Sequence, residues 1–268
     1  MSRRDHDIRR YPGARLLTAV FFLWLYLPIA VVIGFSFNQN RLVSVWTGFS
    51  TEWYAAALAN KALMDALEVS LTIAVIATIG ATTIALMAAM VLSRAPAKGI
   101  YRLSEAVVNL PLMLPEIVVA VAVLILFSQL GIADGMVKLA LAHTAFCTPF
   151  AFLPIRARLQ GMSRDFEEAA QDLYAPPLTA FRRVTLPLIA PGVFAGAMLA
   201  FVMSMDDFIT SNMLNSGGST TLPVYIFSLI KRGTTPELNA ISTLMILASL
   251  VIATAALVLA ARAMRREA

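Results

Sequence analysis

The sequence predicts an all-α membrane protein with six transmembrane helices. Of its 268 residues, 59% are hydrophobic and 14% are charged, whereas soluble domains average about 45–50% apolar and about 25% charged residues. The charged residues gather in short islands between long apolar runs. At this apolar length only helices satisfy their own backbone hydrogen bonds, because the hydrocarbon of a bilayer offers the backbone no partner.

Six stretches are long and apolar enough to cross about 30 Å of hydrocarbon, which takes about 20 residues. They are 16–37, 65–92, 104–129, 136–155, 191–212 and 239–261. The fourth is the weakest of the six, because Lys138, His143 and Pro149 interrupt it. The simplest account of these stretches is a bundle of six spans.

Lysines and arginines are divided unevenly between the two sides of the predicted spans, 16 on one side and 5 on the other. The larger set is Arg3, Arg4, Arg9, Arg10, Arg15, Arg94, Lys98, Arg102, Arg156, Arg158, Arg164, Arg182, Arg183, Arg262, Arg265 and Arg266. Since cytoplasmic connections carry the excess of basic residues, both termini are expected in the cytoplasm. The predicted organisation is a basic N-terminus over 1–15, a transmembrane domain over 16–262 and a tail over 263–268.

Several classes of function are excluded by the sequence. The net charge of +5 comes from basic residues that flank apolar segments, so nucleic acid is not an expected partner. No Gly-x-x-x-x-Gly-Lys-Ser/Thr loop occurs, so no cofactor is expected and any ATP must bind to another subunit. His6 and His143 stand apart, which excludes a metal cluster or a His-based catalytic triad. The single cysteine, Cys147, excludes an internal disulfide framework.

Two connections on the outer side are longer than simple turns. The first, over 38–64, carries four aromatic residues typical of a helix at the membrane interface, namely Trp46, Phe49, Trp53 and Tyr54. The second, over 216–238, contains a short apolar segment at 222–231. Contact with a partner on the outer side and simple interfacial packing both account for these connections.

The inner loop over 158–190 holds the most specific pattern in the sequence. Its apolar positions at i, i+3, i+4 and i+7 predict one face of a short helix, formed by Phe166, Ala169, Ala170 and Leu173. Glu167 and Glu168 suit the positive end of that helix, and Pro176-Pro177 is expected to stop it. An amphipathic helix on the inner face needs a surface to lie against, and two central alanines would let a partner approach closely.

The same loop resembles the EAA loop of ABC importer permeases. It reads Glu168-Ala169-Ala170, three residues, Tyr174, nine residues, Val184, one residue, Leu186-Pro187, and the family pattern is EAA, three, Gly, nine, Ile, one, Leu-Pro. The resemblance implies the MetI-like fold of a type I ABC importer permease, with a coupling helix that docks into a cleft on an ATPase subunit. The implied coupling residues are Glu168, Ala169, Ala170, Asp172, Leu173, Tyr174, Ala175, Leu186 and Pro187.

Tyr174 is the main departure from the family pattern. A glycine at this position would allow the positive φ that ends a helix, which a tyrosine adopts at a cost of about 1 kcal/mol or more. Two alternatives follow. Either Pro176-Pro177 makes the turn instead, or the docking geometry differs from that of the family.

Three acidic residues lie away from the inner and outer ends at which the predicted spans begin. Asp206 and Asp207 fall in the outer third of the bilayer and Glu116 nearer mid-depth, after Pro111 and Pro115. A carboxylate at membrane depth costs at least about 2.5–3.5 kcal/mol, so each is a candidate substrate-pathway residue. With few cations in the spans to neutralise them, they favour a positively charged cargo. Pairing with an intramembrane donor such as His143, or capping of a broken helix, is the alternative.

Local stretches at 109–116, 142–147, 204–208, 220–223 and 236–239 are similar to the PotC/PotI branch of polyamine permeases. The resemblance implies a multi-pass subunit of the bacterial inner membrane for putrescine or spermidine, with no enzymatic activity of its own. Its implied partners are a second homologous permease in a heterodimer, a cytoplasmic ATPase dimer, a periplasmic solute-binding protein and membrane lipid. A rival hypothesis is a self-sufficient cation channel or secondary transporter that uses the acidic residues as ion ligands, which explains the carboxylates but not the loop.

Overall fold

The computed structural model describes residues 13–40, 45–94, 99–233 and 236–266. Every regular element among these residues is a helix, and one isolated bridge joins Asn38 to Phe49. The helices are α1 (Ala14–Phe35), α2 (Glu52–Ala59), α3 (Lys61–Leu92), α4 (Ile100–Met113), α5 (Glu116–Gln129), α6 (Gly135–Gln160), α7 (Asp165–Asp172), α8 (Pro177–Ala180), a π-helix (Phe181–Thr185), α9 (Leu186–Asp206), α10 (Ile209–Leu214), α11 (Leu222–Arg232) and α12 (Pro236–Arg266).

Some of the lysines and arginines from which the orientation is predicted lie outside the residues that the structure describes. They are Arg3, Arg4, Arg9, Arg10, Arg41 and Lys98, together with the side chains of Arg262, Arg265 and Arg266.

Four continuous helices are long and apolar enough to cross a membrane: α1, α3, α6 and the helix Pro177–Asp206, which joins α8, the π-helix and α9. The pair α4 and α5 passes the same test as one bent span. The predicted sixth span lies within α12, and the apolar stretch that the structure describes there is Pro236–Val251. Most side chains after Val251 lie outside the described part of the chain. The predicted class, an all-α membrane protein, is therefore confirmed.

The third span is broken, in contrast to the continuous stretch predicted over 104–129. Helices α4 and α5 meet at an angle of 109° across a short break. Leu114 is extended there, with ψ of 144°, because the ring of Pro115 disfavours the helical conformation of the residue before it. Pro111 lies inside α4 without ending it. The break places Glu116 at the first position of α5.

The fifth span also differs from the prediction over 191–212. The helix begins earlier, at Pro177, and ends at Asp206. Asp207 is extended, with ψ of 118°, and α10 starts two residues later. The backbone amides of Thr210 and Ser211, at the start of α10, donate to the Asp207 carboxylate. Asp207, the residue at which the helix breaks, therefore also caps the next helix, α10, with its side chain.

The fourth span, predicted to be the weakest, is a continuous helix with Pro149 and Pro154 inside it. In its most apolar stretch 44% of the residues are buried, against 22% in α3 and in Pro177–Asp206. His143 faces the interior and is almost fully buried. The polar residues that weakened the prediction are thus part of the helix that packs at the centre of its unit.

The chain divides into two compact units, of which residues 61–228 with 253–268 form the first. Within it α3, α6 and α9 pack against one another. Alanines spaced by four residues, such as Ala81, Ala85 and Ala89, are fully buried on α3 and allow close helix approach. At Gly196 of α9 an added Cβ would lie 2.6 Å from the carbonyl oxygen of Ala151 in α6, so glycine is needed for the contact.

The second unit consists of residues 1–60 and 229–252. No residue of α1 is buried. A helix is present within 38–64, as expected, and is α2. Two of its aromatic residues contact the segment after α1: the Tyr54 ring packs in a tilted arrangement on Phe37, and the indole N–H of Trp53 donates to the carbonyl of Asn38 at 2.8 Å. These contacts tie α2 to the end of α1.

Candidate functional site

The loop predicted over 158–190 folds as three short helical segments, α7, α8 and the π-helix. Helix α7 contains three of the four residues of the predicted apolar face, and the fourth, Leu173, follows its last residue. Its first turn contains Asp165, Glu167 and Glu168. The amide of Asp165 donates to the hydroxyl of Ser163 at 3.3 Å. Three acidic side chains at the positive end of the helix dipole favour this start.

Helix α7 ends at Asp172, and the turn that follows it is made at Tyr174 and not at the two prolines. Tyr174 has φ of +58° and is the only non-glycine residue with positive φ in the described part of the chain. Its amide donates to the carbonyl of Gln171 at 2.8 Å, and the amide of Ala175 donates to the carbonyl of Ala170 at 3.0 Å. This bond pattern is a Schellman motif, which normally has glycine at the left-handed position. The expectation that Pro176-Pro177 stops the helix is therefore wrong, and Pro177 begins α8 instead.

The predicted coupling residues lie mostly on the outward side of the loop. Ala170 is buried against the rest of its unit, whereas Glu168, Ala169 and Asp172 are exposed. Large apolar side chains are also exposed beside them, including Phe166, Leu173 and Leu178, and Tyr174 is 95% exposed. The acidic Glu168 and the aromatic residues Phe166 and Tyr174 are thus all exposed on the same short segment of the loop. Leu186 and Pro187 are separate from this segment, at the start of α9.

Glu167, which is not part of the family pattern, is mostly buried, whereas its neighbour Glu168 is exposed. Its carboxylate forms an ion pair with Arg94, just beyond the end of α3, and accepts a hydrogen bond of 2.6 Å from the Thr185 hydroxyl. Burial, and secondarily the charge of nearby Arg164, lowers the pKa of Arg94. Successive residues on a helix point about 100° apart, which is the only sequence signal that the two glutamates would separate.

Asp207 is buried, and its carboxylate is paired with other groups of the chain. Its carboxylate lies 3.3 Å from Nε2 of His143 and accepts from the Ser211 amide at 2.8 Å and the Thr210 amide at 3.3 Å. The other ring nitrogen of His143 is hydrogen-bonded to the Ser204 hydroxyl at 2.8 Å. The sequence allows two interpretations of this acid: a place on the substrate pathway, or pairing with His143 and capping of a broken helix. The contacts in the structure are those of the second interpretation.

Glu116 and Asp206 lie near Asp207 but are more accessible. Glu116 is the first residue of α5 and is partly exposed. Asp206, the last residue of α9, is exposed. Helix α10 packs against both α5 and α6, so the two broken spans meet at this cluster. Irregular backbone at membrane depth occurs where it is covered by protein or lines a cavity.

Comparison with known proteins identifies relatives over nearly the whole chain. Residues 81–267 match the family described as the binding-protein-dependent transport system inner membrane component. The putrescine transport system permease protein PotI of Escherichia coli K12 is 38% identical over 246 residues, covering 88% of this chain and 86% of that protein. The spermidine/putrescine transport system permease protein PotC of the same organism is 38% identical over 244 residues, covering 91% and 92%.

A solved structure supports the same fold. It is a crystal structure of a bacterial ABC transporter involved in the import of the acidic polysaccharide alginate, and one of its chains superimposes with a TM-score of 0.72. The match covers 95% of this chain and 97% of the other at 17% identity. The fold is that of an ABC importer permease, in agreement with the fold expected from the loop. The chain belongs to the family of binding-protein-dependent transport system inner membrane components and is a multi-pass protein of the inner membrane.

Proposed function

We propose that this chain is one of two permease subunits of an ABC importer that takes up polyamines such as putrescine and spermidine. The observation that carries the proposal is the 38% identity to PotI and PotC over about nine-tenths of the chain. The intramembrane acids agree with a cationic cargo, because polyamines present ammonium groups that must be stripped of water on the way across. The subunit forms part of the pathway and catalyses no reaction itself.

The energy is supplied by a cytoplasmic ATPase dimer, which binds the ATP. Helix α7 is the proposed contact, with Glu168 and Ala169 exposed on it and Leu173 and Tyr174 at its end. Interface energy concentrates in aromatic anchors surrounded by smaller contacts, so the nearly fully exposed Tyr174 ring is suited to a pocket on the ATPase. The proposed orientation has α7 and both chain termini on the cytoplasmic side, and the excess of basic residues in those connections supports it.

The remaining proposed partners follow from the geometry of an importer. A second, homologous permease completes the pathway, a solute-binding protein delivers the polyamine from the periplasm, and lipid surrounds the apolar faces. Closure of the ATPase dimer around ATP moves α7 and rocks the helices between inward-open and outward-open states, as rigid bodies. The self-sufficient channel or secondary transporter has no use for the exposed surface of α7.

Within the pathway, Asp206 and Glu116 are the proposed contacts for the ammonium groups. Asp207 is less suited to direct contact, because its carboxylate is buried and already bonded to His143 and to two amides of α10. Its proposed part is to hold the break after α9, so that Asp206 keeps its exposed position beside the start of α5.

The test is purification of the tagged chain, co-expressed with its neighbouring reading frames, followed by reconstitution into liposomes. We expect an ATPase and a second permease in stoichiometric amounts. We also expect uptake of labelled putrescine or spermidine that requires both ATP and the binding protein. ATP-dependent uptake of other solutes with no competition by polyamines would reject the proposed substrate. Conductance by the purified chain alone would favour the channel.

A further inference from the structure

Two segments of the first unit contact the carboxylate of Glu167 on α7. Arg94, just after α3, approaches with both terminal nitrogens, Nη1 facing Oε2 and Nη2 facing Oε1. Thr185, at the end of the π-helix that leads into α9, donates its hydroxyl to Oε1 at 2.6 Å. The carboxylate of one residue of α7 is thus bonded to the ends of two membrane-spanning helices.

The geometry and burial of this contact distinguish it from an ordinary surface ion pair. The side chains of Glu167 and Arg94 are only 14% and 27% exposed, and Thr185 is 2% exposed. A bidentate pair between guanidinium and carboxylate fixes the relative orientation of its two partners as well as their separation. Loss of one partner in a poorly solvated pair leaves the other charge without compensation.

A second contact joins the same two segments. The guanidinium of Arg164, the residue before α7, donates to the backbone carbonyl of Arg94 at 3.4 Å. The start of α7 is therefore held to the end of α3 by a side-chain pair and by a side-chain to backbone bond. Helix α7 also packs against the π-helix and α8, which keeps the three segments together.

Both helices reached by Glu167 belong to the packed core of the unit. Helices α3 and α9 each pack against α6 and against each other, and residues of all three form one buried cluster. Closely packed interiors transmit displacement, because side chains have little room to adjust. A movement of α7 would therefore be passed to two spans at once through Glu167, while Glu168 remains free on the outward face.

We propose that Glu167, held by Arg94 and Thr185, is the positioning residue that transmits movement of the coupling helix α7 to α3 and α9. The inference rests on the proposed function as an ATP-driven permease. Glu168 and Tyr174 serve attachment of the ATPase, and Glu167 serves transmission after attachment. Weakening the Glu167 contact leaves the ATPase bound and hydrolysing ATP, but separates hydrolysis from movement of the spans.

The test compares Glu167→Gln and Arg94→Gln with the wild type in the reconstituted complex. In Glu167→Gln the amide side chain preserves the size of the glutamate and an acceptor for Thr185, but it loses the charge that Arg94 requires. We expect the ATPase to co-purify in unchanged amount and the uptake per ATP hydrolysed to fall about tenfold. The double exchange Arg94→Glu with Glu167→Arg restores the ion pair in reverse and is expected to recover part of the lost coupling.

The matched control is the ion pair between Arg156 of α6 and Glu105 of α4, which does not involve α7. Its arginine is 22% exposed, close to the 27% of Arg94, and its glutamate is more exposed than Glu167, at 36% against 14%. Glu105→Gln removes the same kind of charge, so a general loss of stability would affect both variants, whereas the uptake per ATP should change only in Glu167→Gln. The midpoint of thermal unfolding, measured for all variants, separates destabilisation from uncoupling.

Two results would overturn the inference while leaving the proposed function intact. In the first, the Glu167→Gln variant takes up as much substrate per ATP hydrolysed as the wild type does. In the second, it loses the ATPase altogether, which would place Glu167 in the docking surface. If the wild-type complex shows no uptake driven by ATP, the proposed function fails, and the role of Glu167 fails with it.

Discussion

Two regions of the molecule contain adjacent acidic residues, and in both the members of the pair point in different directions. On α7, Glu167 is bonded to Arg94 and Thr185 while Glu168 is exposed. At the end of α9, Asp207 is buried against His143 while Asp206 is exposed. In each pair one carboxylate is bonded to other parts of its unit and its neighbour is exposed. An acidic residue in this chain therefore has to be assigned a role individually, from its own contacts.

The difference between the two regions is the surrounding medium. The Glu167 contact lies at the edge of its unit and involves a permanently charged arginine, whereas the Asp207 contact is enclosed between helices that cross the membrane. Enclosed polar networks are costly to disrupt, because no water replaces the missing partner. Substitution of Asp207 should therefore lower the free energy of unfolding more than substitution of Glu167 does.

The largest effect is expected for Asp207→Ala. It leaves His143 and the amides of Thr210 and Ser211 without their carboxylate, and breaking such a buried pair costs about 3 kcal/mol or more. We expect a clear fall in the midpoint of thermal unfolding of the purified protein. Asp206→Ala is the control and should unfold near the wild-type temperature. An equally stable Asp207→Ala protein with lost uptake would instead make Asp207 a pathway residue.

The next effect is expected for Glu168→Arg, which reverses the charge on the outward face of α7. Loss of a charged contact at an interface costs about 2 kcal/mol or more of binding free energy, so uptake should be abolished and the ATPase retained poorly, while the chain still inserts. The amount of co-purified ATPase measures this. Glu52→Arg, an exposed glutamate of α2, is the control. Normal assembly and uptake in the α7 variant would exclude Glu168 from docking.

A smaller effect is expected for Asp206→Asn and Glu116→Gln. If these carboxylates contact the ammonium groups of a polyamine, loss of either charge raises the concentration for half-maximal uptake about tenfold, without a change in assembly. Uptake measured over a range of spermidine concentrations tests this, with Glu68→Gln, an exposed acid of α3, for comparison. Unchanged uptake in both variants would remove them from the route.

The smallest effect is expected for Tyr174→Gly at the end of α7. Glycine adopts the positive φ of this turn without strain, so the free energy of unfolding should rise by about 0.5–1 kcal/mol. Tyr174→Ala also removes the ring but keeps the strained backbone, and comparison of the two variants isolates the strain. A glycine variant no more stable than the alanine variant would show that the left-handed turn carries no cost here.

The features that the sequence predicts well are those determined by local chemistry. The apolar runs predict the spans, and the i, i+3, i+4, i+7 spacing predicts α7. Tyr174 is recognisable as unusual, because a tyrosine stands where the turn requires positive φ. Proline at position 115 marks the place where the third span breaks, although not the angle of 109° between its halves.

The features that the sequence does not predict depend on distant partners. Arg94 lies 73 residues before Glu167, so nothing near the loop indicates which of two neighbouring glutamates turns inward. The break after Asp206 contains no proline or glycine, and its cause is the capping of α10 by a side chain that also pairs with His143. Pro149 and His143 make α6 resemble an interrupted span, yet tertiary packing keeps it helical.

Helix α1 has a consequence for the synthesis of the protein. None of its 22 residues is buried by the rest of the chain, and its backbone hydrogen bonds are satisfied internally. It can therefore leave the aqueous channel of the translocon and enter lipid as soon as it has been translated, before any of its later neighbours exist. The helices of the α3, α6 and α9 core, with their buried polar residues, arrive afterwards in a membrane where the chain is already anchored.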